Sequence, residues 1–216
     1  MAGSDDAFMG RLSGRIGNLV VYQMYGKTVV RIRPASRTKK TSPELKASQN
    51  VFKTVIGMLK RLKHILRFGF AAEAVNRSAW NAAVSANLSR YRQVEDKSIS
   101  NWLQLSAGRL AQASDWQLNK DENGQLQLSW ENGAEANGRG GDKLIVFIVP
   151  DADQGLQAVM EITAASRFSK QALVELDNPY KRAAAEVFTA FISAYYNGDR
   201  KPDGLSESVW VGRIEA

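Results

Sequence analysis

The fold of this chain is decided by a seven-residue stretch, Gln125–Glu131, which reads QLQLSWE. Apolar and polar side chains alternate along it, and successive side chains of a β-strand point to opposite faces, so it predicts a strand with one buried face. A second stretch, Leu144–Val149, reads LIVFIV and is apolar throughout, as is typical of a central strand. The two strands predict a sheet core that contains Trp130, Phe147 and either Phe191 or Phe188.

Further strand patterns surround these two, and turns rich in Gly, Asn, Asp and Pro separate them. The seven predicted strands are Asp115–Asn119, Gln125–Glu131, Lys143–Val149, Ala158–Ala164, Gln171–Leu176, Glu186–Tyr196 and Glu207–Arg213. Seven strands in about 100 residues leave no room for crossover helices, which predicts an antiparallel immunoglobulin-like or fibronectin type III-like β-sandwich. The Cys…Trp…Cys spacing of true immunoglobulin domains is absent, so strand count and turns carry this interpretation.

Near the N-terminus, Gly17–Pro34 reads GNLVVYQMYGKTVVRIRP and predicts a β-hairpin that turns at Tyr25-Gly26. The period of two places Thr28, Val30 and Ile32 on one face of the second strand. The opposite face is mostly basic, with Lys27, Arg31 and Arg33. Either Leu19 and Val21 or Val20 and Tyr22 join the apolar face.

A helix is predicted to follow, because Ser42 suits the N-cap and Pro43 suits the first helical position. Its apolar stripe comprises Phe52, Val55, Ile56, Leu59, Leu62, Ile65 and Leu66. A break at Phe68–Phe70 and a second helix over 72–88 complete a helical hairpin. A lone β-hairpin is marginal in water, so we expect its apolar face to pack on this stripe or on a partner sheet.

Charge is distributed unevenly. Residues 1–100 hold 18 basic and 6 acidic side chains, whereas residues 101–216 hold 11 and 16. This asymmetry indicates two parts with different roles. We therefore predict an α+β protein of two domains: a basic β-hairpin and helical-hairpin unit over 10–95, and the β-sandwich over 98–216.

Several function classes are disfavoured by composition. The chain has no cysteine and one histidine, His64, which leaves no thiolate or His-rich metal site, and we expect no cofactor. No apolar run approaches the roughly 20 residues of a membrane-spanning helix, and the first residues lack the features of a secretory signal. We expect a cytoplasmic protein or a component of an assembly.

Four segments resemble a family of uncharacterised Bacteroidetes proteins catalogued only as a domain of unknown function. They are Gly14–Gln23 (GRIGNLVVYQ), Gly26–Pro34 (GKTVVRIRP), Ser78–Asn87 (SAWNAAVSAN) and Leu205–Gly212 (LSESVWVG). The resemblance spans most of the chain and implies no activity. Hairpins of this type also look similar to segments of some phage-related structural proteins, which is an analogy at the level of the fold.

Three short segments resemble parts of metal, phosphate or catalytic sites, but each is better interpreted as a structural turn, loop or helix position. Asp151-Ala-Asp153 begins like a calcium loop, but Gly155, Leu156 and Ile162 occupy the positions that must hold an oxygen ligand, glycine and glutamate. The glycines at 138–141 precede a strand instead of the helix that a phosphate-binding loop needs. His64 lies among basic residues with no acid nearby, so no enzymatic constellation is visible.

Two further motifs have equally plain interpretations. The glycosylation sequons at Asn76 and Asn87 lie in or next to a predicted helix. The aromatic strand Phe188–Tyr196 and Trp210 are interpreted as sandwich core in preference to a carbohydrate or peptide site.

The strongest candidate site is a basic set within fourteen residues. It comprises Lys27, Arg31, Arg33, Arg37, Lys39 and Lys40. It has two interpretations: a contact surface for an anionic partner, or a solvated edge that prevents strand-to-strand aggregation.

Together these observations predict a non-enzymatic structural or interaction protein, with a protein partner that is either a second copy or another assembly component. One version is a component of a phage-like or secretion-type assembly in which the hairpin extends a neighbour's sheet or the sandwich's own. The alternative is a nucleic-acid-binding protein that uses the basic N-terminal surface.

Overall fold

A computed structural model describes residues 2–4, 13–35, 42–132, 138–198, 202 and 204–216. The chain is a mixed α+β protein with three antiparallel sheets. It divides into two compact units, Met1–Ser48 and Gln49–Ala216, and the division falls inside the first helix.

The N-terminal unit is built on a sheet of its own with the strand order β1-β4-β3-β2. Its strands are β1 (Ala2–Ser4), β2 (Gly14–Ile16), β3 (Leu19–Met24) and β4 (Lys27–Ile32). β3 and β4 form the predicted hairpin, and Tyr25 and Gly26 both have positive φ, 50° and 79°. Two consecutive positive φ values are the requirement of a tight hairpin turn whose twist matches that of its strands.

The helices are α1 (Pro43–Arg61), α2 (Lys63–Gly69), α3 (Ala79–Gln93), α4 (Ile99–Trp102) and α5 (Asn178–Lys181). Helix α1 begins where the sequence predicts, and the Oγ of Ser42 accepts a hydrogen bond from the backbone N–H of Leu45. Helix α3 begins later than the predicted residue 72. The N-cap is Ser78, whose side chain accepts from the N–H of Asn81, and Val75 is exposed ahead of it.

All seven predicted C-terminal strands are present. They are β5 (Ala113–Lys120), β6 (Gln125–Asn132), β7 (Lys143–Pro150), β8 (Val159–Ser166), β9 (Gln171–Glu175), β10 (Ala185–Ile192) and β11 (Val209–Ile214). They form a four-stranded sheet, β11-β10-β7-β8, and a three-stranded sheet, β5-β6-β9. Every pairing between these strands is antiparallel, as predicted.

The two C-terminal sheets pack face to face through one buried cluster, which we call the inter-sheet core. Leu126, Leu128 and Trp130 project into it from β6. Leu144, Val146 and Ile148 project from β7, and Phe191 projects from β10. The rings of Trp130 and Phe191 meet edge to face, with 5.8 Å between their centroids.

The other face of the four-stranded sheet packs against helices in a second cluster, the helix–sheet core. Its members from the sheet include Ile145, Phe147 and Val149 of β7 and Phe188, Ala190 and Ile192 of β10. Its helical members include Val55, Leu59, Leu62, Ile65, Leu66, Ala82 and Ala83. Successive side chains of β7 therefore point alternately into the inter-sheet core and the helix–sheet core, which explains why LIVFIV shows no polar face.

This arrangement corrects the predicted core. Trp130 and Phe191 lie between the sheets, as expected, but Phe147 and Phe188 are buried on the helical side. The prediction failed for these two because an all-apolar strand gives no sign of which face meets which layer.

The arrangement also differs from the predicted division into residues 10–95 and 98–216. From Gln49 onward the helices belong to the same compact unit as the seven strands, because their apolar stripe is buried in the helix–sheet core. The stripe itself is confirmed at its C-terminal end, whereas Phe52 at its start is exposed.

A buried asparagine joins α3 to the segment that leads into β5. The Nδ2 of Asn87 donates to the carbonyl oxygens of Ala83 and Gln104, both at 2.9 Å, and its Oδ1 accepts from the N–H of Gln104 at 2.7 Å. Asn87 is fully buried, so these bonds satisfy backbone groups that water does not reach.

We expect Asn87→Ala to lower the free energy of unfolding by about 2–3 kcal/mol, because it leaves the buried backbone groups of Gln104 without partners. Urea unfolding measures this. Ser85→Ala, on the exposed face of the same helix, is the matched control and should change the free energy by less than about 0.5 kcal/mol. Equal effects of the two substitutions would contradict the assignment.

We expect Phe147→Ala to destabilise the whole C-terminal unit by about 3–5 kcal/mol, because its ring joins the helices to the central sheet. Hydrogen exchange in dilute urea should show α3 and β6 losing protection together. Leu173→Ala, at an exposed position of β9, is the control. Loss of protection confined to the helices would show that they and the sheets unfold separately.

Candidate interaction surface on the N-terminal sheet

The strand register of the N-terminal sheet decides which side chains share a face, because direct cross-strand partners point the same way. One face, which we call the basic face, consists of three rows: Arg15–Val20–Arg31, Tyr22–Val29 and Met24–Lys27. The register resolves the open alternative in the sequence, since Leu19 and Val21 pair with Ile32 and Val30 on the opposite face.

Positive charge on the basic face has no acidic counterpart in the sequence around it. Residues 13–35 contain no aspartate or glutamate, and Lys27, Arg31 and Arg33 are exposed. The guanidinium carbon of Arg31 lies 5.5 Å from the centroid of the Tyr22 ring, a cation–π contact that leaves the guanidinium donors available. The first 48 residues hold nine basic and three acidic side chains, so they carry a net charge of +6 out of +7.

The structure places only part of the predicted basic set. Lys27 and Arg31 lie on the basic face, and Arg33 follows β4 directly. Arg37, Lys39 and Lys40 lie outside the described residues, so their role as anionic-partner contacts stays a prediction.

Arg15 belongs to the basic face although the sequence analysis did not include it. Its Nε donates to the carbonyl oxygen of Gly17 at 3.1 Å. Val20 of β3 lies between Arg15 of β2 and Arg31 of β4 in the same cross-strand row. The GNLVV turn before β3 was the available signal, because a tight turn there brings the preceding residues alongside the hairpin.

The opposite face is buried at one end and exposed at the other. Val21 and Thr28 are buried, and the Nε2 of Gln23 donates to the Oγ1 of Thr28 at 2.8 Å. Three aliphatic side chains in one cross-strand row, which we call the apolar row, are exposed: Ile16 (57%), Leu19 (41%) and Ile32 (70%). Ile32 is thus exposed, and the expectation that this face packs on the helical stripe or on a partner sheet stays a prediction.

A second basic surface lies on the helices of the C-terminal unit. Lys53, Lys60, Lys63 and Arg67 are exposed on α1 and α2, away from the apolar stripe. The Nη2 of Arg61 instead donates to the backbone carbonyl oxygen of Pro150 at 3.4 Å. No acidic residue occurs between Glu44 and Glu73, so this surface also lacks local neutralisation.

A cluster of charged side chains that sequence reasoning missed lies where β10 and β11 meet. The Nη1 of Arg213 donates to the Oε1 of Glu186 at 3.0 Å, and its Nη2 donates to the Oδ2 of Asp151 at 2.6 Å. These hydrogen bonds raise the pKa of Arg213. The indole N–H of Trp210 donates to the Oε2 of Glu186 at 2.6 Å, so both oxygens of this buried carboxylate are already bound.

The dismissed motifs have structural roles. Asp151 pairs with Arg213, and Gly155 has a φ of 66° at the end of a single helical turn. A Cβ on Gly140 would lie 2.1 Å from the ring of Phe168, so packing explains this glycine. His64 is exposed.

The asparagine of the second sequon, Asn87, is fully buried, and its amide nitrogen donates hydrogen bonds to two carbonyl oxygens, so it serves the fold. Among the aromatic candidates, Phe188 and Phe191 belong to cores, whereas Tyr195 (77%) and Trp210 (42%) are exposed.

Within the described ranges, no three His, Asp or Glu side chains are grouped as a metal site would require. None of the helices in that part of the chain is both long and apolar enough to span a membrane.

These features define a mixed α+β protein with a basic N-terminal sheet and a helix-covered C-terminal sheet. Residues 11–200 match the family of unknown function DUF6266, and the chain belongs to that family. The resemblance noted in the sequence is thereby confirmed. No curated protein matches the chain.

Proposed function

We propose that this chain is a non-enzymatic interaction protein, a component of an assembly that docks through its N-terminal sheet. The observation that carries the proposal is one small sheet with the exposed apolar row on one face and the basic face on the other. Burying aliphatic side chains of this size is worth about 1.5–3 kcal/mol each, and a contiguous exposed row is typical of a protein contact. Charge on the other face would orient the partner.

We further propose that β5 to β11 form a fibronectin type III-like sandwich. Counted from β5, the first, second and fifth strands form one sheet, and the third, fourth, sixth and seventh form the other. The fourth strand pairs with the third strand here, whereas in the immunoglobulin constant type it belongs to the sheet of the first, second and fifth strands. Such sandwiches host many functions, so the docking proposal rests on the N-terminal sheet and not on the fold.

The polar groups of the C-terminal unit support a role without catalysis. Glu186 is held by Arg213 and Trp210. Buried serines are equally engaged: the Oγ of Ser206 accepts from the N–H of Phe191 at 2.7 Å, and the Oγ of Ser208 accepts from the N–H of Leu105 at 2.8 Å. A nucleophile or general base needs a free reactive atom facing a substrate, and these groups serve the fold.

Position-specific photo-crosslinking in cells tests the docking proposal. With a photo-reactive amino acid in place of Ile32, irradiation should give a protein adduct of defined mass. The same amino acid in place of Glu122, an exposed residue of the β5–β6 turn, should give none. Absence of an adduct at Ile32 and also at Ile16 and Leu19 would refute docking through the apolar row.

Nucleic-acid binding is the second candidate, and the pairing of Arg31 with Tyr22 on an acid-free face favours it. If it holds, affinity for duplex DNA should fall steeply with salt, with a log–log slope of about −0.9 per phosphate contacted. Arg31→Glu and Arg33→Glu should each weaken binding and flatten the slope.

Arg109→Glu removes an exposed positive charge from another part of the chain and is the matched control. No binding to duplex or single strands even at low salt eliminates this candidate. Binding that Arg31→Glu and Arg33→Glu leave unchanged moves the site to Lys60, Lys63 and Arg67.

A further inference from the structure

A groove of about 750 Å³ opens between the edges of the two C-terminal sheets. Strand β8 is the last strand of the four-stranded sheet, and β9 is the last strand of the three-stranded sheet. The groove is lined by Glu161, Thr163 and Ala165 of β8, by Gln171 and Leu173 of β9, and by Gln127 and Ser129 of β6 and Asn119 of β5 next to them. An end strand of each sheet therefore contributes to the groove.

Each of these strands is paired on one side alone within the described part of the chain, β8 with β7 and β9 with β6. An end strand presents a row of backbone N–H and C=O groups that can pair with an added strand. Leu173 is also exposed (68%) at the groove, so an added strand would cover apolar surface as well.

The groove carries uncompensated negative charge. Glu161 lines it, and neither Glu161 nor the neighbouring Asp177 has a basic side chain within salt-bridge distance among the residues described. Burial, and secondarily the charge of Asp177, raise the pKa of the Glu161 carboxyl. A cationic side chain placed there would be attracted by both carboxylates.

The same chain offers an element of complementary chemistry. Strand β2 is an end strand of the N-terminal sheet, and its three residues are all exposed. It carries Arg15 at its centre and belongs to the segment with a net charge of +6. Ile16 beside it contributes to the apolar row.

We propose that the groove between β8 and β9 receives strand β2 of a second copy, with Arg15 placed against Glu161. The proposal deepens the function proposed above by naming one partner, and it rests on the docking role of the N-terminal sheet. The donated strand β2 and the receiving groove are different surfaces, so each copy can donate a strand to one neighbour and receive a strand from another. A contact of this kind continues from copy to copy unless the rotation between copies closes a ring.

Sedimentation velocity over a concentration series, at low and moderate salt, tests the proposal on the full chain. The unmodified protein should form species that grow with concentration and shrink with salt, because screening weakens the charge pairing. Arg15→Glu and Glu161→Lys should each weaken association at least about tenfold, since either creates a like-charge contact. Lys63→Glu and Glu95→Lys are exposed controls of matching charge change and should leave association unaltered.

Mixing the two variants separates this contact from a symmetric one. The Glu161→Lys variant keeps an intact donor strand, and the Arg15→Glu variant keeps an intact groove. A one-to-one mixture should therefore regain extended association, because native Arg15 meets native Glu161 in one contact and the two reversed charges meet in the next. Each variant alone should stay largely monomeric, and a symmetric contact would stop at pairs in the mixture. The double variant R15E/E161K exchanges the two charges and should regain extended association. Circular dichroism and thermal unfolding establish that every variant is folded.

A chain that remains monomeric at low salt and high concentration overturns the proposal. So does association that the two variants leave unchanged, or that the controls weaken equally. A symmetric dimer that both variants still form also overturns it. A photo-crosslink from Ile32 to a different protein, together with a monomeric chain, would refute this partner while leaving the docking function in place.

Discussion

Strands β7 and β10 pair along their full length at the centre of the four-stranded sheet, and the rest of the C-terminal unit depends on the burial of both their faces. One face packs on the three-stranded sheet and the other on the helices. All eight residues of β10 are buried. Because an antiparallel sheet with only one covered face would expose half of these side chains to water, neither outer layer can be removed without exposing a large apolar surface.

This double burial restricts where the C-terminal unit can bind anything. The broad faces of its central sheet are occupied, so partners are left with the outer helix surface, the outer face of the three-stranded sheet and the strand edges. The groove between β8 and β9 lies at such an edge. The N-terminal sheet differs, because it combines an exposed apolar row with a basic face that has no acidic residue in its own strands.

Much of this organisation follows from local pattern. Alternation with a period of two located β6, an all-apolar run located β7, and turns rich in Gly, Asn, Asp and Pro delimited the other C-terminal strands. Turn chemistry located the hairpin, and the Ser-Pro pair located the start of α1. One error, the predicted start of α3, arose because a competing local signal was overlooked. At α3, Ser78 was a better N-cap than anything near residue 72. The charge cluster around Arg213 was invisible because Asp151, Glu186 and Arg213 are far apart in sequence.

The sequence by itself determined the element types, their antiparallel pairing and the concentration of charge in the first 48 residues, because these depend on local periodicity, turns and composition. Only the tertiary structure decided how layers meet. It assigned Phe147 and Phe188 to the helical side, joined the helices to the sheets in one unit, and left Ile32 exposed beside Leu19. An apolar pattern in the sequence shows which side chains must be buried. It does not show which element they pack against, because the hydrophobic effect is non-directional.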